Sequence, residues 1–251
     1  MTRVESDDPR LAPYVGMYGA EERGDDLCII ESRLAVESLL DSPYEPVSLL
    51  VADRLADSLP ELIGAFPGDV LIAPQQIIDT TVGFHMHRGV AACARRGAPL
   101  AIDDVIAGAT RLLVTEGVSD PENLGALFRN AAAFGVDGIL LDPTTCDALS
   151  RRTIRVSLGH ALRVPFARGS VGELLDGLRE VTTIALSPDA PTDLRTVRAD
   201  RFALLVGNEG DGLSGATLAR ADVAAAIPMA KGVDSLNVAT AAAVALALLG
   251  S

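Results

Sequence analysis

The chain has 251 residues, 49% of them hydrophobic, a mean hydropathy of +0.30 and a formal net charge of −13. Those values exclude a disordered chain and leave room for a core that must be aliphatic, because Trp is absent and aromatics make up only 4%. Three widely separated cysteines, Cys28, Cys93 and Cys146, lack metal-type spacing and indicate reduced thiols, and no metal is expected. The first residues carry no apolar signal core, and the longest apolar run, Val238 to Leu249, is too short to span a bilayer, so a cytoplasmic protein without a membrane partner is expected.

In chain order, residues 1–27 hold prolines, glycines and seven acids against three arginines, and read as a loose lead-in or a short docking helix. Glu31 to Leu40 has helical spacing. Val47 to Val51 is a short strand, Asp53 to Ile63 a helix, and Asp69 to Ala73 a strand bounded by Pro67-Gly68 and Pro74. Thr80 to Gly89 reads as a loop and Val90 to Ala94 as a strand. Residues 28–97 therefore form a small α/β domain, and a linker over 98–107 follows, its approach marked by Arg95-Arg-Gly-Ala-Pro99. From 108 to 251 helix and strand alternate in a larger α/β domain. Strands are expected at 111–116, 138–142, 182–187, 202–206 and 223–227, and helices at 122–134, 150–162, 171–180, 214–220 and 235–249. Continuous apolar strands such as Phe202-Ala-Leu-Leu-Val206 indicate a parallel sheet covered on both faces.

The net charge argues against a nucleic-acid partner, but its distribution does not. Arg151, Arg152, Arg155, Arg163 and Arg168 fall with His160 in a stretch free of acids, and His85, His87, Arg88, Arg95 and Arg96 form a second one.

Three stretches carry chemistry. In Ser119 to Gly135, Ser119 or Asp120 caps a helix whose core stripe is Leu124, Leu127, Phe128, Ala131 and Phe134. Its other stripe is small residues around a lone Arg129, which reads as an anion clamp, a dimer contact or a surface arginine. Leu204 to Leu213 is a strand running into Gly207-Asn-Glu-Gly-Asp-Gly212. Its glycine order is not that of a dinucleotide fingerprint, which argues against a dehydrogenase. Glu209 stands there at a strand's carboxyl end, where open α/β sheets place ligand-facing groups. Ile227 to Leu249 ends in a helix that is apolar on nearly every side, with Asp234 or Ser235 as candidate N-cap and Ser235 and Asn237 at its mouth.

Together the three stretches resemble the motifs of the SpoU (TrmH) branch of the SPOUT methyltransferases, in the family's order. They are Asn123-x-Gly-x-x-x-Arg129 with Ala-x-x-Phe-Gly behind it, Gly207-Asn-Glu-Gly210, and Ile227-Pro-Met leading to Ser235-Leu-Asn237. The resemblance implies a parallel sheet with a C-terminal deep trefoil knot, and for residues 28–97 an RNA-binding domain similar to ribosomal protein L30. It implies a homodimer that transfers a methyl group from S-adenosylmethionine to a ribose 2′-hydroxyl of ribosomal or transfer RNA. Gly207, Ile227, Ser235 and Leu236 would bind that cofactor. Arg129, Asn123, Glu209, Ser235 and Asn237 would be catalytic, and RNA would meet Arg88, Arg151, Arg152, Arg155 and Arg163. Two departures stand out: Thr144 to Ser150 is less regular than the family's segment there, and the N-terminus is strongly acidic. The rival reading, a non-catalytic RNA-binding protein that kept the knot, predicts loss of Arg129, Glu209 or Asn237; all three are present.

Overall fold

Leu49, Leu50, Val51 and Ala52 in one sheet, and Leu112, Leu113 and Val114 in another, are buried. Continuous burial of this kind follows from apolar runs that expose neither face of the strand. The computed structural model describes residues 1–17, 26–232 and 234–250. It divides into two units, residues 1–98 with 149–163, and residues 99–148 with 164–251.

The first unit contains β1 (Thr2–Arg3), β2 (Leu27–Glu31), α1 (Arg33–Leu40), β3 (Glu45–Ala52), α2 (Asp53–Ala56), α3 (Pro60–Ala65), β4 (Asp69–Ala73), α4 (Gln75–Val82) and β5 (Val90–Arg95). Its sheet runs β1-β4-β3-β5-β2. β1 and β3 pair parallel to β4, whereas β5 is antiparallel to β3 and β2. The acidic lead-in is in part a structural piece of this unit. Beyond β1, residues Pro9–Tyr14 form a 3-10 helix, and Tyr14 is fully buried with its hydroxyl donating to Ser48 O at 2.9 Å. Residues 18–25 of the expected lead-in lie outside the described residues.

Two expectations for this unit change. The single helix over 53–63 is two, because Pro60 disfavours helical backbone at Leu59 and starts a new helix at its own first turn. The expected loop at Thr80 is still helix: Thr80 and Thr81 turn their hydroxyls onto the carbonyls of Gln76 and Ile77, and α4 stops only at Gly83, whose φ is +84°.

The second unit opens with α5 (Ile102–Ile106), β6 (Arg111–Glu116), α6 (Pro121–Ala133) and β7 (Gly138–Leu141). The stretch expected as a linker, 98–107, is part of its core, since Val105 and Ile106 are buried in one cluster with Leu112, Leu140 and Leu174. The chain then contributes α7 (Arg151–Val156) to the first unit, where it packs on β2. The helix expected over 150–162 breaks there: Leu158 and Gly159 both take positive φ, and a short 3-10 turn, His160–Leu162, follows. The second unit resumes with β8 (Phe166–Arg168), α8 (Val171–Gly177), β9 (Thr182–Leu186), β10 (Thr192–Asp193), β11 (Phe202–Gly207), α9 (Gly215–Arg220), β12 (Val223–Ala226) and α10 (Val238–Leu249). Its seven strands run β10-β12-β9-β11-β6-β7-β8, every pair parallel. α10 packs on α6 and β11 through Ala239, Ala242, Ala245 and Leu246. None of the described helices is long and apolar enough to cross a membrane.

Candidate active site

β6 and β11 are neighbours in the second sheet, and the chain leaves them in opposite directions, from β6 toward β7 and β8 on one side and from β11 toward β12, beyond β9, on the other. The loops at their carboxyl ends therefore diverge around a topological switch point, where open α/β sheets bind ligands. Behind β11 the chain makes a tight turn, with Asn208 N donating to Gly212 O at 3.1 Å and Gly212 N to Asn208 O at 3.0 Å. Glycine is required at 207, because a Cβ there would lie 2.1 Å from the Gly212 carbonyl carbon and 2.2 Å from Leu213 N.

Behind β6, α6 starts with Asp120 as its cap, accepting from Glu122 N at 2.8 Å, so of the two candidate caps Asp120 is the one used. Pro121 then fills a first-turn position whose amide has no helical partner. Asn123, in that turn, donates Nδ2 to Glu209 Oε1 at 2.8 Å and accepts on Oδ1 from Asn237 Nδ2 at 2.7 Å. Asn237 Oδ1 in turn accepts from Ala239 N at 3.0 Å and Thr240 N at 3.2 Å. This chain of bonds has one direction. Two backbone amides claim the Asn237 oxygen, its nitrogen must then face Asn123, and the Asn123 nitrogen must face a carboxylate that can only accept. Residues 114 and 86 positions apart in sequence thus share one polar line.

The same bonds correct the expected start of the last helix. Its N-cap is Asn237 and neither Asp234 nor Ser235, which stand exposed ahead of it, and the helix begins at Val238. Ser235 and Leu236 instead line a cavity of about 530 Å³ together with Leu186, Gly207, Glu209 and Ile227. Asn237 lines it too, and Asp189 and Asp211 add carboxylates to its wall. All the residues expected to bind the cofactor therefore meet in one cavity, with Glu209 and Asn237 on its wall and Asn123 joined to both. Arg129 is not part of that wall. It stands exposed on α6 and, among the described residues, has no hydrogen-bond or ion-pair partner.

A second polar cluster lies at the carboxyl end of β7. Asp142 Oδ1 accepts from Gly117 N and Thr145 N, each at 2.9 Å, and from the Thr145 hydroxyl at 2.5 Å; Oδ2 accepts from Thr144 N at 3.0 Å and from the Thr144 hydroxyl. Burial pushes its carboxyl up, but the donors of Gly117, Thr144 and Thr145 outweigh it and hold the group below the usual carboxylate range. Arg168 closes the same loop from outside, donating to Asp142 O at 2.7 Å, Thr145 O at 2.6 Å and Cys146 O at 2.9 Å. The segment from Thr144, irregular by sequence, is a loop wound on one carboxylate.

Arg168 belongs to the second unit and is bound to carbonyls, whereas Arg151, Arg152, Arg155 and Arg163 belong to the first. Arg151 is mostly buried, with 14% of its side chain exposed. It donates Nη1 to Glu31 Oε2 at 2.6 Å and stacks on Phe84 at 5.3 Å from the ring centroid. Arg155 approaches the same carboxylate at 3.9 Å. Arg151 is therefore an internal partner of Glu31 and not an open cation. Arg88, Arg152 and Arg163 remain exposed. Sequence reading missed Glu31, Asp142 and Asn208 as organising residues; a lone acid at the end of an expected strand was the available signal for Asp142 alone.

The SpoU rRNA methylase family model matches residues 110–247. A Mycobacterium bovis protein described as an uncharacterized tRNA/rRNA methyltransferase is 40% identical, over 96% of this chain and 88% of its own length. The 23S rRNA (guanosine(2553)-2′-O)-methyltransferase of Bacillus subtilis is 35% identical over 57% of this chain and 58% of its own. The crystal structure of an AdoMet-bound rRNA methyltransferase from Sinorhizobium meliloti superposes with a TM-score of 0.84 at 25% identity, covering 98% of this chain and 96% of that one.

Proposed function

Because the chain belongs to the SpoU rRNA methylase family, and is thus an RNA methyltransferase that uses S-adenosylmethionine, we propose that it methylates a ribose 2′-hydroxyl of ribosomal or transfer RNA at the Asn123–Glu209–Asn237 cluster. The observation that carries this reading is the directed hydrogen-bond line from Asn237 through Asn123 to Glu209 on the wall of the cavity.

The cavity suits the methyl donor. Its volume of about 530 Å³ is that of a small-molecule site. Leu186, Ile227 and Leu236 offer apolar surface for an adenine ring, and the Gly207–Leu213 turn offers backbone groups free of side-chain obstruction. Asp189 and Asp211 complement a cationic sulfonium and ammonium. When bound, S-adenosylmethionine supplies an electrophilic methyl group. Gly207, Ile227, Ser235 and Leu236 hold it; Asn123, Glu209, Ser235 and Asn237 orient the ribose and the loops around it, since methyl transfer depends chiefly on alignment.

Arg129 grips the RNA phosphate and stabilises the charge that grows on the ribose oxygen, with the phosphate relaying the hydroxyl proton. A guanidinium stays protonated, which suits it to electrostatic stabilisation and not to general base catalysis. Exposed Arg88, Arg152 and Arg163 on the first unit, a domain similar to ribosomal protein L30, meet the RNA with Arg155; Arg151 supports that surface from beneath. The second unit would close its C-terminal segment into a deep trefoil knot and pair with a second copy, in the cytoplasm.

The test is incubation with methyl-labelled S-adenosylmethionine and total RNA from a strain lacking the protein. Label in alkali-resistant dinucleotides is expected. Label confined to bases, or none in either RNA class, overturns the reading.

A further inference from the structure

We propose that Asn208 is a positioning residue of the methyl-donor site, a role that rests on reading the cavity as that site. Both ends of its side chain are engaged. Nδ2 donates to Gly117 O at 2.8 Å, and Oδ1 accepts from Gly210 N at 2.7 Å and from Asp211 N at 3.3 Å. Its backbone pairs in both directions with Gly212. Gly117 is held at its other backbone group too, because Asp142 Oδ1 accepts its amide at 2.9 Å. Gly117 takes φ of +74°, and a Cβ there would stand 3.4 Å from the Asn208 Cβ. The Asp142 carboxylate, the Gly117 backbone and the Asn208 amide thus form a continuous polar line from the end of β7, past the end of β6, to the turn behind β11.

The chemistry of this line demands a primary amide at 208. One end must donate to a carbonyl while the other accepts from two amides; an ionised carboxylate cannot donate, and a hydroxyl has a single oxygen that cannot stand at both ends. The residue next in sequence is Glu209, whose carboxylate must meet Asn123 at 2.8 Å, and residues 207–213 form one wall of the cavity. Asn208 touches neither reacting group, yet it fixes the turn that carries one of them and shapes the donor's wall.

The experiment measures S-adenosylmethionine binding by calorimetry, without RNA, and amide hydrogen exchange without cofactor, on the wild-type chain, Asn208→Ala and Asn208→Asp. Asn208→Asp keeps the acceptor but sets a carboxylate against the Gly117 carbonyl, so it separates the two ends. Both variants are expected to bind the cofactor about tenfold more weakly, the effect of leaving at least one partner of the Asn208 side chain unpaired. The Gly210 and Asp211 amides should lose protection in Asn208→Ala and keep it in Asn208→Asp, with exchange in β6 and β11 unchanged in both. A purely structural role predicts the exchange split without the loss of cofactor affinity. Wild-type affinity in both variants, or equal exchange of those two amides in all three proteins, overturns the role. If neither variant folds, the wild-type chain decides: protected Gly210 and Asp211 amides support the clamp, and exchange at unstructured rates refutes it. Failure of the wild-type chain to bind cofactor would instead overturn the reading of the cavity and leave the exchange result standing.

Discussion

The two units dispose of their key polar groups differently. In the first, the notable ones are closed off: Tyr14 is consumed by Ser48, and Glu31 by Arg151 with Arg155 beside it. In the second, polar groups gather at strand ends and keep spare capacity. Glu209 gives Asn123 one carboxylate oxygen and borders a cavity with the rest, and Arg129 is exposed with no partner among the described residues. A satisfied buried charge stabilises or specifies a fold, whereas a charge held at a strand's carboxyl end with bonding capacity left is equipped to meet a ligand. The contrast separates arginines that look alike in sequence.

Its strongest test is Arg151→Ala. Removing the close partner leaves the buried Glu31 with only the longer contact to Arg155 at 3.9 Å, and a loss of about 3 kcal/mol is expected. Urea denaturation followed by circular dichroism measures it. The double variant Glu31→Gln with Arg151→Met should recover much of that loss, because neither side then carries a buried charge. A stable Arg151→Ala protein that has only lost RNA affinity would show instead that Arg151 is an open RNA contact, and the division between the units would fail there.

Arg129→Ala tests the other side. Loss of one preorganised charge aimed at a developing oxyanion costs about 10²–10³ in kcat. Folding midpoint and S-adenosylmethionine affinity should stay at wild-type values, since Arg129 bonds to none of the described residues and is absent from the cavity wall. Full turnover in this variant removes Arg129 from the mechanism.

How far these assignments could be read from sequence depends on whether the cause was local. β6 was legible to the residue because the apolar run Leu112 to Val114 is bounded by Arg111 and by Thr115-Glu116. Pro121 and Gly207 were legible because backbone geometry alone restricts those positions. α4 was hidden because two threonines that favour non-helical backbone here bond back onto their own helix. Arg151 was misjudged for a different reason. Its helix is basic in sequence, but its partner Glu31 lies 120 positions away, on a strand that periodicity did not reveal. The membership of 149–163 in the first unit could not be read locally either, since it depends on packing against β2.

Asp142 lies between the extremes, a buried charge satisfied by neutral donors alone. Its folded pKa is depressed, so its contribution to stability is complete above the ordinary value of 3.8 and is lost as pH falls through the lower folded value. Asp142→Asn should cost about 1–3 kcal/mol at neutral pH, because an amide nitrogen now faces one set of donors. It should also flatten the fall in stability below about pH 4. Parallel acid curves for the two proteins would show that the carboxyl titrates alike in the folded and unfolded chain, against the depression its donors impose.

The smallest expected effect sits where the two kinds of polar group coincide. Asn237 is both a helix cap and a member of the active-site line. Asn237→Ala removes the cap and should cost about 1 kcal/mol of stability. Asn237→Ser keeps an oxygen that can cap α10 but loses the Nδ2 donor to Asn123, so stability should return while turnover does not. The comparison of the two variants, by thermal melting and by methyl transfer at saturating cofactor, divides the residue's two duties. If Asn237→Ser restores turnover along with stability, Asn237 is a cap alone, and the ordered line that ends on Glu209 begins at Asn123.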